Sequence, residues 1–189
     1  MSSNKIIEKA IYSFATNGYA GTSISNIAEL VGIKKSTIYS HYKSKDEIFE
    51  KSMETSFQVE IDFLEAYFSK KYNSPLDALE IFLEAIKERY VDDTIFTLNF
   101  VYKMGYMLVE KYNDVIKKHC DDYYIAMENL IIKYLINEGI NEDKAKNQAR
   151  VYTTLLDGLM ISLIYSGEAR YKERRDHIWK FFSKSFIVD

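Results

Sequence analysis

One proline and seven glycines among 189 residues leave this chain few places to turn sharply. A sandwich or barrel of short strands needs many more such residues, so their scarcity excludes most β-rich architectures. The single cysteine, Cys120, excludes an intrachain disulfide and gives no sign of an oxidising compartment. Three histidines, His41, His119 and His177, lie far apart, and no glycine-rich phosphate loop accompanies them. They offer neither a catalytic constellation nor the spacing of a metal site. The run His119-Cys120-Asp121-Asp122 is no exception, because adjacent residues on a helix point in different directions. No catalytic residue, metal or cofactor is expected, and the chain does not read as an enzyme. Long hydrophobic runs are missing too. The longest candidate, residues 155–165, is too short for a membrane span and contains Asp157. Met1 to Lys5 lack the apolar core of a secretory signal. The expectation is a cytoplasmic protein without membrane contact.

What is present favours helices. Apolar residues make up 47% of the chain and aromatics 15%, with 16 Tyr and 11 Phe against one Trp. The formal net charge is −3, but its distribution is uneven. Residues 1–51 carry seven lysines and five acids, and the remainder is net acidic. Between Ile33 and Lys45 stand Lys34, Lys35, Lys43, Lys45 and His41, with no acid. A confined basic stripe on an acidic chain is suited to one local contact with a polyanion.

Start and stop signals divide the chain. Ile7, Ala10, Ile11 and Phe14 mark a helix over about 4–17, ended by Asn17-Gly18. Thr22 or Ser23 caps a second, with Ile24, Ile27, Ala28 and Val31 inward, and Gly32 closes it. A third follows over about 35–42, with Ile38 and Tyr42 inward. Ser44-Lys45-Asp46-Glu47 has the form of a capping box and opens a long helix to about Lys71. Ser74-Pro75 opens the fifth. Residues 92–110 read as short helical pieces, 113–137 as a long helix, and 141–166 and 170–187 as the last two.

Two short helices joined by a tight turn at Gly32, behind a first helix, form a helix-turn-helix pattern. With Ile38 and Tyr42 packed inward, Lys35, Ser36, Thr37, Tyr39 and Ser40 lie on the outer side. Such a small polar face with a basic start can enter a major groove, where lysine meets guanine acceptors. Thr22 and Ser23 at a helix start, with Lys34, His41, Lys43 and Lys45 at the flanks, are suited to phosphates.

These residues carry a resemblance. Asn17-Gly18-Tyr19-Ala20-Gly21-Thr22-Ser23-Ile24, Ile27-Ala28, Val31-Gly32-Ile33 and the run from Ile38 to Phe49 together resemble the N-terminal signature of the tetracycline-repressor (TetR) family. The resemblance implies an all-helical, homodimeric repressor with a DNA-binding head and a ligand-binding body. The positions matching family DNA contacts are Thr22, Lys35, Ser36, Thr37, Tyr39, His41 and Lys45. Lys34 stands where members usually carry Ser or Thr, and Ser36 where Gly is common. The expected fold is all-α: a three-helix head over 1–46 and a helical bundle over 47–189 for effector binding and dimerisation.

In the body, Phe96, Phe100, Tyr102, Met104, Tyr106 and Met107 concentrate in one stretch. Phe63, Tyr67, Phe82, Tyr123 and Met127 can face it from neighbouring helices. Core packing explains any one of them. Together, and with the resemblance, they are the candidate pocket for a small hydrophobic, aromatic or cationic effector. Asp157 needs a partner if buried, favoured at an interface or in a structural hydrogen bond over a ligand cation, unless it points to solvent. Gly158 and Ser162 allow another helix to approach, and the last helix carries Ile178, Trp179, Phe181, Phe182 and Phe186, more apolar area than an exposed terminal helix needs. With Leu155 and Leu159, these residues form the candidate homodimer interface, a four-helix bundle of two copies. A two-fold dimer on double-stranded palindromic operator DNA doubles what one short helix can read. An effector that prefers one body conformation then releases the operator. The alternative is a helical dimer that binds a protein partner and has lost DNA recognition.

Overall fold

In a computed structural model that describes residues 3–92, 94–106 and 109–186, every regular element among the described residues is helical. Helix α1 spans Ser3–Gly21 and buries Ile6, Ile7, Ala10, Ile11 and Phe14 on one face. It is interrupted at Gly18 (φ 70°, ψ 177°), where the sequence places its end, and one turn resumes beyond. Helix α2 is Ile24–Val31. Gly32 follows at φ 78°, a left-handed conformation that a Cβ would strain. The N–H groups of Gly32 and Ile33 then reach back to the carbonyls of Glu29 and Ala28, each at 3.0 Å.

Helix α3 is shorter than the periodicity predicts: Lys35–Tyr39 rather than residues 35–42. Ser40 closes it by donating its hydroxyl to the Thr37 carbonyl at 2.7 Å, the local competition that short polar side chains bring to helices. Ile38 and Tyr42 are nonetheless buried, and the Tyr42 hydroxyl shares a hydrogen bond with that of Ser3.

Helix α4 is Lys45–Phe68. Ser44 Oγ accepts from the Glu47 N–H at 3.1 Å, but Glu47 returns to the Lys43 N–H at 2.6 Å rather than to Ser44. The expected box is therefore closed one residue further out. Helix α5 is Pro75–Val91, capped by Ser74 Oγ on the Asp77 N–H at 3.1 Å. Helix α6, Phe96–Tyr106, is continuous where short pieces were expected. Its buried residues Leu98, Phe100, Val101, Tyr102 and Met104 fill more than half of the circumference, opposite Phe96, Asn99 and Lys103, so the buried face is wider than the usual stripe. A 3-10 turn, Glu110–Tyr112, leads to α7 (Asn113–Asn137). Helix α8, Glu142–Ser185, is broken at Gly167 into two arms, matching the two final helices of the sequence reading.

The chain divides into two compact units: Met1–Asp62 with Asp92–Tyr123, and Phe63–Val91 with Tyr124–Asp189. In the first, α1 packs against α2 and α6, and α2 against α3. In the second, α5 packs against α8. There the hydroxyls of Tyr67, Tyr152 and Tyr171 donate to the α5 carbonyls of Ala78, Leu79 and Leu83 at 2.8, 2.6 and 2.6 Å. Buried phenols require such partners.

Candidate nucleic-acid interface

The reading head is assembled from its caps. Ser23 Oγ accepts from the Asn26 N–H and Asn26 Oδ1 from the Ser23 N–H, both at 3.1 Å. This reciprocal box starts α2 at Ile24, and the Gly32 turn delivers the chain to α3 within three residues. Lys34 precedes α3 with no side-chain cap. The departure from Ser or Thr at this position thus leaves its ammonium outward instead of folded onto the helix.

Ile38 is fully buried, and around it Lys34, Lys35, Ser36, Tyr39, Ser40, His41 and Lys43 are exposed, with Thr37 half-buried. Tyr39 is 49% exposed, unusual for a large aromatic unless a partner covers it. The Lys35 ammonium lies 5.9 Å from its ring centre, which keeps charge and ring on one side. Ser23 is exposed as well.

Two expected contacts sit differently. Thr22 is buried, with its hydroxyl 3.1 Å from that of Ser13. Lys45 donates to the carbonyls of Tyr19 and Thr22 at 2.9 and 3.0 Å, and its ammonium stands 3.9 Å from the centre of the Tyr19 ring. Both residues brace the α1–α2 joint from within. A neighbouring cluster had no sequence signal because its members are far apart in the chain. Asp46 accepts from the Tyr19 hydroxyl and from the Lys111 ammonium, and Lys103 donates to the Ala15 carbonyl. Hydrogen bonds from Lys111, then Tyr19 and Tyr112, hold the Asp46 carboxyl well below the usual carboxylate range. Tyr19 also meets Phe49 and Tyr112 edge to face at 4.9 and 5.4 Å.

The aromatic residues expected to line a pocket fall into two groups. In the first unit, Phe96 meets Tyr12 at 4.7 Å, Phe100 meets Phe14 and Phe49, and Tyr123 meets Phe57. Tyr102 and Met104 are buried there, while Met107 and the Tyr106 side chain lie outside the described residues. In the second unit, Phe63, Tyr67 and Phe82 form one cluster, the Arg89 guanidinium lies 4.1 Å from the Phe63 ring centre, and Met127 is buried. The Tyr67 hydroxyl, expected to greet a ligand, is already engaged with the Ala78 carbonyl.

The expected dimer residues gather on α8. Leu155, Gly158, Leu159, Ile178 and Phe182 line a groove of about 1000 Å³ between its two arms. Phe181, 77% exposed and expected on the apolar last helix, lines it too, and so does Val151, 55% exposed, which carried no sequence signal. Ser162 is buried, accepting from Arg174 at 2.7 Å and donating to the Gly158 carbonyl at 2.9 Å. It ties the two arms together instead of presenting a surface. Trp179 packs on Phe182 outside the groove lining. Asp157 takes a hydrogen bond from Tyr124, but its Oδ1 is buried without a partner, and burial pushes the carboxyl up to about 6.

Among the described residues no cluster of His, Cys, Asp and Glu could hold a metal, and no helix is long and apolar enough to cross a membrane.

Comparison with known proteins converges on one class. Residues 6–51 match the family described as bacterial regulatory proteins, tetR family. The chain is 34% identical over 145 residues to the Staphylococcus epidermidis biofilm operon icaADBC HTH-type negative transcriptional regulator IcaR, covering 75% of this chain and 73% of that protein. Among solved structures, a TetR-family transcriptional regulator from Cytophaga hutchinsonii superimposes with a TM-score of 0.76 at 15% identity, covering 98% of this chain and 95% of that one. The transcriptional regulator FadR of Bacillus subtilis, solved in complex with stearoyl-CoA, gives a TM-score of 0.69 at 15% identity over 98% of this chain and 100% of its own. At such identity the structural likeness concerns the fold.

Proposed function

This chain belongs to the tetR family of bacterial regulatory proteins, and from that premise we propose that it represses transcription as a homodimer on a palindromic operator. It is a DNA-binding transcriptional regulator. The observation that carries the reading is the exposed polar face of α3, Lys35, Ser36, Tyr39 and Ser40, on a segment with four lysines and no acid. A polyanion is the partner that face suits. Lys34, His41 and Lys43 contact phosphates and set register, while Lys35, Ser36, Thr37, Tyr39 and Ser40 read bases. Residues 1–46 are the recognition domain, and 47–189 hold the effector and the self-association surface.

Self-association is supported by the α8 groove, into which Val151, Ile178 and Phe181 expose apolar side chains side by side. The effector is a small hydrophobic, aromatic or cationic molecule held among aromatics of the body. The Arg89 guanidinium on Phe63 is an instance of a ring in that body already holding a cation. A compound that saturates the body is expected to weaken operator binding without touching α3, and unchanged operator affinity would contradict this.

The test of the function is selection of genomic fragments by the purified protein. Enrichment of an inverted repeat, bound more weakly as salt rises, is expected. Failure to enrich any sequence would favour a protein-interaction role.

A further inference from the structure

The joint between α1 and α2 is only five residues long, from Gly18 to Thr22, yet it sets how α2, and with it α3, is presented. Its backbone is not regular helix: Gly18 stands at φ 70° and ψ 177°. A break of this kind removes the regular partners of the carbonyls just before it. Lysines from distant parts of the same unit bind at the joint, one directly and one through a carboxylate. Lys103, on α6, donates to the carbonyl of Ala15, one turn before the break. Lys111, in the turn before α7, pairs with Asp46, which also accepts the Tyr19 hydroxyl from inside the joint. Tyr112, next to Lys111, backs the Tyr19 ring at 5.4 Å. Beyond the joint nothing is loose: Ser23 caps α2 at once, and the Gly32 turn leads straight into α3. A rotation at Gly18 would carry the exposed face of α3 with it.

We propose that Lys103 and Lys111 are positioning residues for operator binding, fixing the α1–α2 joint and through it the orientation of α3. The proposal rests on the DNA-binding reading above. Lys103 is partly buried and holds a backbone carbonyl, so its loss leaves that polar group without its charged donor. Lys111 and Asp46 are 60% and 37% exposed, and such a pair is individually weaker. Lys103 is therefore the stronger of the two. Neither lysine reads DNA itself.

The test uses the full chain and a fragment selected by the wild-type protein, titrated at several salt concentrations beside thermal unfolding. Lys103→Met is expected to weaken binding about tenfold and Lys111→Met about threefold, with Lys111→Arg close to wild type. The slope of log affinity against log salt stays as in the wild type. A slope shallower by about 0.9 for either variant would make that lysine a phosphate contact and overturn the proposal. Wild-type affinity in both methionine variants would overturn it too, as would lower unfolding midpoints with unchanged affinity of the folded protein. Should Lys103→Met unfold at the assay temperature, the exposed Lys111 pair carries the test. If the wild type selects no fragment, the DNA-binding reading fails and takes the inference with it. That result is distinct from a wild type that binds beside variants that bind equally well.

Discussion

The two compact units differ in the side chains that hold their backbone carbonyls from a distance and in the surfaces they expose. In the first, lysine ammoniums reach across long stretches of chain: Lys103 to the Ala15 carbonyl, Lys111 to Asp46, Lys45 to Tyr19 and Thr22. In the second, neutral phenols donate to neighbouring carbonyls of α5, from Tyr67, Tyr152 and Tyr171. Charged donors keep their heads near water and hold an irregular joint, whereas buried phenols lock a helix into a dry core. The surfaces follow suit. The first unit shows a small polar and basic face around Ile38, and the second shows bare apolar side chains at Val151, Ile178 and Phe181. One face suits a polyanion and the other an apolar partner.

Breaking the apolar side of this contrast has the largest expected effect. Phe181→Glu places a charge in the α8 groove, and in the proposed two-fold dimer it would act twice. Loss of a central aromatic anchor is worth roughly 2–4 kcal/mol. Sedimentation should show monomers, and operator affinity should fall by about a hundredfold or more. Dimers that persist with full affinity would show that the groove is not the interface.

Breaking the polar side comes next. Lys35→Met removes the charge at the start of the α3 face. A base contact of this kind is worth about 1–3 kcal/mol, so competition titrations should show about tenfold weaker binding and relaxed preference at one base pair per half-site. Uniform weakening across all sequences would reassign Lys35 to the phosphates.

The smallest effect sharpens the contrast within the second unit. Asp157 is a largely buried acid there, its carboxyl raised by burial from 3.8 to about 6. Between those values the folded protein binds a proton that the unfolded chain has released, so stability falls as pH rises from about 4 to about 6. Asp157→Asn should flatten that fall and add about 1 kcal/mol at neutral pH, after allowance for partial exposure. Chemical denaturation at several pH values measures it, and an unchanged profile in the variant would clear Asp157 of the dependence.

Much of this architecture was legible in the chain. The Gly32 turn, the Ser23 cap, the Pro75 start and the break between the last two helices are local chemistry, written within a few residues. The HTH ordering and the exposed face around Ile38 followed from the same signals. The helix over 96–106 was hidden because its buried residues spread over more than half of its circumference, blurring the stripe. The end of α3 at Tyr39 depended on one serine hydroxyl turning back to a carbonyl. The internal roles of Thr22 and Lys45 follow from tertiary packing, as do Lys103 and Lys111 on partners 88 and 65 residues away. Sequence spacing carries no record of such pairings. Phe181 stood out with the other apolar residues of the last helix, whereas Val151 was passed over because periodicity does not mark an apolar residue left exposed.

The central claim, that a symmetric pair of α3 helices reads the operator, is tested most directly by footprinting the protein on the fragment it selects. Protection of two half-sites related by two-fold symmetry, lost together in Phe181→Glu, is the predicted result. A single asymmetric footprint, or one that survives intact when the protein is monomeric, would contradict it.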